Sequence, residues 1–427
     1  MKKIRLTAVL MAAMLLLSVS SAAFAEGFGV YEWSAAGTAM GENYMFAEDD
    51  PAVLAYNPSA ITKLDGSYIS FGTSWVNPAT SISFTNGPLN AGRSSEYDNE
   101  YSPAFTPYFY YAKKVSSNGW FGLAAFPRFG NNIEYDDAWA GRYDTIFSGV
   151  KGITIQPTYA FKIGSKLSAA VGLDINYVNL KMRKDTPAMA GALGYLGDLQ
   201  SLVEGHSTNL GWVASLTYDF NEKTSAAITY RARVKQTMDA DASFYGSLAM
   251  LGDYRLDTRA HGTVTLPDSV AIGLGHKFND RTRMEINAIW TNWSTFNALN
   301  LTFDDRVLGV IDSSNSVKDW KAAWRIGIGL EHKLSDKWSL LCGYVFDQSP
   351  VPDERMDFMV PTGDRHRGSI GFKYRPTENS EIAFAYTAIW AGNRYVASQL
   401  NGMDFTNAYI HDGLTQIVSL GYTMKLK

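Results

Sequence analysis

The residues in this chain able to do chemistry are scattered, and their spacing points away from bond-making. The six histidines, His206, His261, His276, His332, His366 and His411, show no metal-ligand spacing. No G-x-S-x-G elbow or phosphate-cradling loop occurs, so no enzyme and no cofactor is expected. Cys342 is the single cysteine and cannot form an intramolecular disulfide. What remains is the chemistry of binding and bracing. Met189, Leu193, Leu196 and Leu199 recur at spacings of three and four, as do Phe244, Leu248 and Leu251, which predicts two helices with one apolar face each. Such faces either close small local cores or form an exposed apolar groove. Asp174, Asp219, Arg283, Glu285, Arg325 and Glu331 fall on polar faces. They are expected to pair, because a charge removed from bulk water needs a partner.

The elements that position these residues are strands. In residues 168–178, Ala169, Val171, Leu173, Ile175 and Tyr177 alternate with Ser168, Gly172, Asp174 and Asn176, a period of two that no helix face produces. Trp212 to Phe220, Met284 to Trp290, Trp324 to Leu330 and Trp338 to Phe346 repeat it. Cys342 lies on the Leu340 and Tyr344 face and is expected to meet lipid. The connections alternate between short ones, such as Gly164 to Lys166 and Phe278 to Arg281, and long ones, such as Pro127 to Lys151 and Asp347 to His366. Six short and seven long connections predict an all-β, transmembrane antiparallel β-barrel of about fourteen strands. A soluble sandwich also alternates, but has no reason for strictly alternating connection lengths or strands of about ten residues.

Residues 1–25 read as a cleaved secretory signal, with Lys2, Lys3 and Arg5 before an apolar run and Ala23-Phe24-Ala25 at its end. Residues 67–427 form the predicted barrel in a bacterial outer membrane, in contact with its lipid and lipopolysaccharide. A net charge of -4 leaves no basic surface for nucleic acid. Residues 26–66 lack alternation yet carry Phe28, Tyr31, Trp33, Tyr44, Phe46 and Tyr56, too many aromatics for a solvated tail. A barrel of this size leaves a lumen that side chains alone cannot fill. The segment is therefore expected to be an N-terminal hatch, or plug, inside it.

The stretch GFGVYEWSAAGTAMGENYMFAEDDPAVLAYNPSAIT, from Gly27 to Thr62, resembles the hatch of the FadL/TodX family of outer-membrane transporters for long-chain fatty acids and aromatic hydrocarbons. Trp139-Ala140-Gly141-Arg142-Tyr143, LPDSVAIGLG with TNWSTF between Leu266 and Phe296, and Gly343 to Arg365 resemble it too, in order along the chain. The last strand ends Met424-Lys425-Leu426-Lys427, where the family usually ends on an aromatic residue. The resemblance implies passive uptake of hydrophobic molecules by a monomer. Capture would occur at a groove formed by the loops carrying Met189 to Leu199 and Phe244 to Leu251. Gating would use the hatch, with Glu32, Asp49, Asp50, Asn57 and Pro58 as its candidate residues, and exit would run sideways through the wall. Gly122 and Pro127 are placed to perturb the third strand. For a substrate carboxylate, Arg142 and Arg365 are the candidate contacts, since an anionic head group needs a cation and an aromatic hydrocarbon does not. Long-chain fatty acids are the first expectation. An aromatic hydrocarbon or alkane channel and a surface adhesin or phage receptor remain as alternatives.

Overall fold

The computed structural model of the chain describes residues 27–189, 194–361, 363–397 and 405–426. The expected signal, residues 1–25, and Leu193 lie outside these.

Alternating sequence becomes staves. The first seven are β1 (Ser67–Asn86), β2 (Ala104–Lys114), β3 (Gly119–Phe126), β4 (Phe147–Ile163), β5 (Leu167–Met189), β6 (Tyr195–Asp219) and β7 (Thr224–Arg231). The second seven are β8 (Ser269–Lys277), β9 (Thr282–Thr291), β10 (Ala323–Lys333), β11 (Trp338–Asp347), β12 (Arg365–Thr377), β13 (Ser380–Ala391) and β14 (Phe405–Leu426). Each pairs antiparallel with the next, and β14 pairs back onto β1 from Ser67 opposite Leu426 to Asn86 opposite Phe405. The result is a closed antiparallel barrel of 14 strands. Closure removes the unpaired edges that hydrocarbon would not tolerate.

Short connections lie at one end, at 115–118, 164–166, 220–223, 278–281, 334–337 and 378–379. Two are built on asparagine: the Asn221 side chain accepts from the amides of Lys223 and Thr224, and Asn279 accepts from Arg281 and Thr282. Along β5, outward Val171 is 58% exposed and inward Asp174 is 0% exposed, so the alternation separates two environments. Cys342 lies on the outward, exposed face.

The long connections at the other end differ from expectation. Among the described residues neither predicted apolar helix forms. Met189 closes β5, while Leu196 and Leu199 belong to β6. Phe244 and Leu248 lie in the strand Val234–Leu248, which pairs with Gly252–Leu266, and Leu251 sits in the turn between these two. The period is two here as well. Leu199, Ser201, Val203 and Gly205 point inward, against outward Gln200, Glu204 and His206. Small residues at the intervening inward positions hid the alternation and left the larger ones at helix-like spacing. A further hairpin, Ala298–Val307 with Ile311–Val317, pairs onto Gly252–Leu266, so β5, β6 and these two hairpins continue as one sheet above the barrel.

Candidate ligand pocket and its closure

Residues 27–64 are almost entirely buried against inward-facing side chains of staves from all parts of the wall. The Ser34 hydroxyl accepts from the amide of Gly37 and starts α1 (Ala35–Ala39). Its small residues allow close approach: a side chain added at Gly371 of β12 would come within 2.6 Å of Ala39 Cβ, and one at Gly343 of β11 within 2.1 Å of the Met40 carbonyl carbon. A second short helix, α2 (Val53–Tyr56), leads into Asn57 and Pro58.

Charges lock this segment to the wall. The Arg367 guanidinium, fully buried on β12, donates to Glu32 at 2.6 Å and to Glu42 at 2.9 Å, while Arg325 of β10 donates to Glu42 at 2.7 Å. Glu42 has a φ of 58°, a left-handed conformation that costs a non-glycine residue on the order of 1 kcal/mol. Two arginines hold it there. Asp49 meets Arg375 at 2.6 Å, and Asp50 accepts from Tyr44 at 3.2 Å and from the amide of Ala52 at 2.9 Å. The Asn57 amide donates to the Met45 carbonyl at 3.0 Å and to Thr217 of β6 at 2.8 Å. Pro58 opens the following 3₁₀ turn, where its missing amide loses no bond.

The wall is broken at the end of β3. β3 follows β4 until Phe126 pairs with Thr154, and the chain regains that partner at Gly130 opposite Lys151, four residues against three. On its other side β3 leaves β2 after Ala125 opposite Phe109, so Ala104 to Tyr108 pair only with β1 among the described residues. Pro127 follows directly, and it has no amide with which to continue the ladder. The start of the enclosed segment fills this break. Gly130 N donates to the Phe28 carbonyl at 2.9 Å, Val30 N donates to the Arg128 carbonyl at 2.8 Å, and the Trp33 indole donates to the Pro127 carbonyl at 2.7 Å.

Above the break lies an apolar pocket. It is lined by Phe28, Val178, Leu180, Met238, Leu266 and Phe296, among others. It is a slot whose empty volume, open solvent at its mouth included, is about 620 Å³. Phe28 packs edge-on to Trp293 and Phe296, with centroids at 4.7 and 5.5 Å. Among the described residues one cation reaches this lining, Lys318, buried and paired with Asp357.

A barrel filled by its own N-terminal segment, notched at the third stave and carrying an apolar slot, has counterparts among known proteins. Residues 16–425 match the family described as outer membrane protein transport protein (OMPP1/FadL/TodX). The chain belongs to this family. Its members are outer-membrane transporters of hydrophobic compounds, not enzymes. The long-chain fatty acid transport protein of Escherichia coli K12 is 23% identical over 403 residues, covering 85% of this chain and 87% of that one. Outer membrane protein P1 of Haemophilus influenzae is 23% identical over 379 residues, covering 79% and 80%. Among solved structures, a FadL homologue of Pseudomonas aeruginosa superposes with a TM-score of 0.84 at 18% identity, covering 94% of this chain and 100% of that one. The Pseudomonas putida toluene transporter TodX gives 0.70 at 16%, covering 94% and 100%.

Within this FadL/TodX family member, the candidate residues fall in three places. Glu32, Asp49, Asp50, Asn57 and Pro58 hold the enclosed segment, as described. Of the capture residues, Leu199, Phe244 and Leu248 are buried in a local core between the hairpins, and Leu196 packs against it. That core is not an open groove. Met189 and Leu251 are exposed at neighbouring hairpin tips, beside exposed Tyr195 and Met250. Neither candidate arginine is among the residues lining the slot. Arg142 bonds to Asn90 at 2.5 Å and Asp198 at 3.1 Å, tying two long connections to the start of β6. Arg365 begins β12 opposite Asp347 and Ala391. Sequence reasoning missed Lys318, which follows a hairpin of serines and has no motif to mark it. It also missed Glu42 and Arg367, whose pairing spans most of the chain.

Proposed function

We propose that this chain takes long-chain fatty acids through the outer membrane by passive diffusion. A fatty acid is captured on the apolar hairpin tips around Met189, Tyr195, Met250 and Leu251. It then slides its acyl chain into the slot, with its carboxylate at Lys318. Lys318 is held by Asp357, which also lines the slot, so the incoming carboxylate takes the place of Asp357 on the ammonium, an exchange that a hydrocarbon has no use for.

One observation carries the reading: Phe28 lines the slot while its own carbonyl is bonded into the notch of the third stave. A ligand that displaces the Phe28 ring withdraws residues 28–30 from the notch, and the residue 26–66 segment acts as a hatch. The acyl chain then leaves sideways into lipid. Release into water instead would cost about 0.8 kcal/mol for every CH₂ re-exposed.

The test is uptake of labelled oleate beside labelled toluene in cells lacking their own hydrophobic-compound transporter. Oleate uptake should exceed toluene uptake. Lys318→Ala should lower oleate uptake about tenfold, since a hydrogen bond to a charged group contributes about 1.5–3 kcal/mol, and should leave toluene unchanged. Toluene uptake alone would make the chain a hydrocarbon channel. Neither, with the barrel inserted, would favour a surface receptor.

A further inference from the structure

The outward face of the sheet bears cations just where it rises from its apolar band. On β4 the outward column runs from Ile155, 44% exposed, through Ile153 to Lys151. On β5 it runs from Leu173 and Tyr177 through Asn179 to Lys181. Lys151 pairs in register with Asn179, which in turn pairs with His206 of β6. Exposed Arg233 and Lys235 follow β7 on the same arc. Lys181 reaches Glu204 at 3.3 Å and Arg233 reaches Asp268 at 3.2 Å, whereas Lys151 and Lys235 have no carboxylate within 4.0 Å among the described residues. The upper end of β1 is different: on the edge away from β14, outward Ser81 and Ser83 bond to Asp98 and Glu96.

We propose that the β4 to β7 arc is a binding surface for a phosphorylated glycolipid of the outer leaflet. The surface is continuous with the apolar wall. Acyl chains lying along Ile155 and Leu173 would place a phosphate near Lys151, and those lying along Leu210 and Trp212 would place one near Lys235. Lysine binds phosphate as a point charge, and an anionic lipid surface attracts a lysine held close to it. A protein partner would have no use for the hydrocarbon-facing column beneath.

Native mass spectrometry of the mature protein in neutral detergent tests this, with diphosphorylated lipid A, the same lipid without phosphates, and inorganic phosphate as ligands. Diphosphorylated lipid A should bind at least about tenfold more tightly than the other two. Lys151→Glu with Lys235→Glu should remove that advantage, while Lys321→Glu, at an exposed cation elsewhere on the rim, should keep it. Lys151→Gln with Lys235→Gln introduces no new charge and carries the test if the reversed pair assembles poorly. Equal binding of dephosphorylated lipid, equal binding of inorganic phosphate, or full binding by both double variants would overturn the proposal.

Discussion

The carbonyl oxygen of Phe28 accepts a 2.9 Å hydrogen bond from the amide of Gly130, so the first described turn of the chain completes a wall that the third stave leaves open. Phe28 also lines the apolar slot. Occupancy of the slot and closure of the wall thus meet in one residue, with no relay between them. What keeps residues 28–30 in place is the ionic lock a few residues on, where Glu32 and Glu42 share Arg367.

Removing the centre of that lock should free the enclosed segment. Arg367→Ala leaves two buried carboxylates short of a cation, a change that costs about 3–5 kcal/mol where one partner of a buried pair is lost. The barrel is closed by its own ladder and should survive. The expected outcome is a higher conductance in planar bilayers, with unchanged heat-modifiable migration of the folded barrel. Unaltered conductance would mean that the lock does not hold the lumen shut.

The hairpin tips and the core beneath them should respond differently. Leu248 is 2% exposed in the local core, so Leu248→Asp buries an unpaired charge and should open the hairpins to limited proteolysis. Leu251 is 65% exposed, so Leu251→Asp, combined with Met250→Asp, should leave protease resistance intact. It should nevertheless reduce oleate uptake at low concentration several-fold. Identical uptake by that second variant would remove the tips from the capture step.

The connection over the slot should depend on pH. Asp144 accepts a 2.7 Å bond from the amide of Phe358, bringing two long connections together. Burial, and then the charge of Asp357, push its carboxyl up to about 7, against the pull of Lys318, of the Phe358 amide and of Lys184. A carboxyl raised in the closed arrangement takes up protons on closing. Closure is therefore favoured at low pH and weakens as pH rises from about 4 to about 7. Hydrogen exchange at Phe358, corrected for intrinsic rate, should be slower at pH 5 than at pH 8. Asp144→Asn keeps an oxygen acceptor and should flatten that dependence. A wild-type profile already flat would contradict the assignment.

Much of the fold was legible because its signals are local. Alternation such as Val171, Leu173 and Tyr177 against Asp174 and Asn176 needs only neighbouring residues, and turns such as Asn221 to Lys223 mark themselves. The enclosed segment showed in its aromatics, and Pro127 marked the end of the third stave. The apolar hairpins were misread as helices because Ser201, Gly205, Ala240 and Ala242 are too small to register as a buried face. Arg142 stood out by its motif, yet its position among Asn90, Asp185 and Asp198 depends on connections that sequence spacing does not relate. Lys318 and Arg367 were hidden for the same reason: their partners, Asp357 and the Glu32 and Glu42 pair, are chosen by barrel closure.

The most direct test of the account is a reversible tether between residues 28–30 and the notch. Gly29 and Phe129 form an isolated antiparallel bridge of the non-hydrogen-bonded kind, flanked by the bonds at Phe28 and Val30. Such pairs lie about 4.5 Å apart at Cα, within the range a disulfide spans. In a Cys342→Ser background, Gly29→Cys with Phe129→Cys would be assayed for oleate uptake before and after reduction. The account predicts that the oxidised form loses uptake at least about tenfold, and that reduction of the same cells restores it. Equal uptake with the tether fully formed and fully reduced would show that ligand passes without residues 28–30 leaving the wall, and would contradict the account.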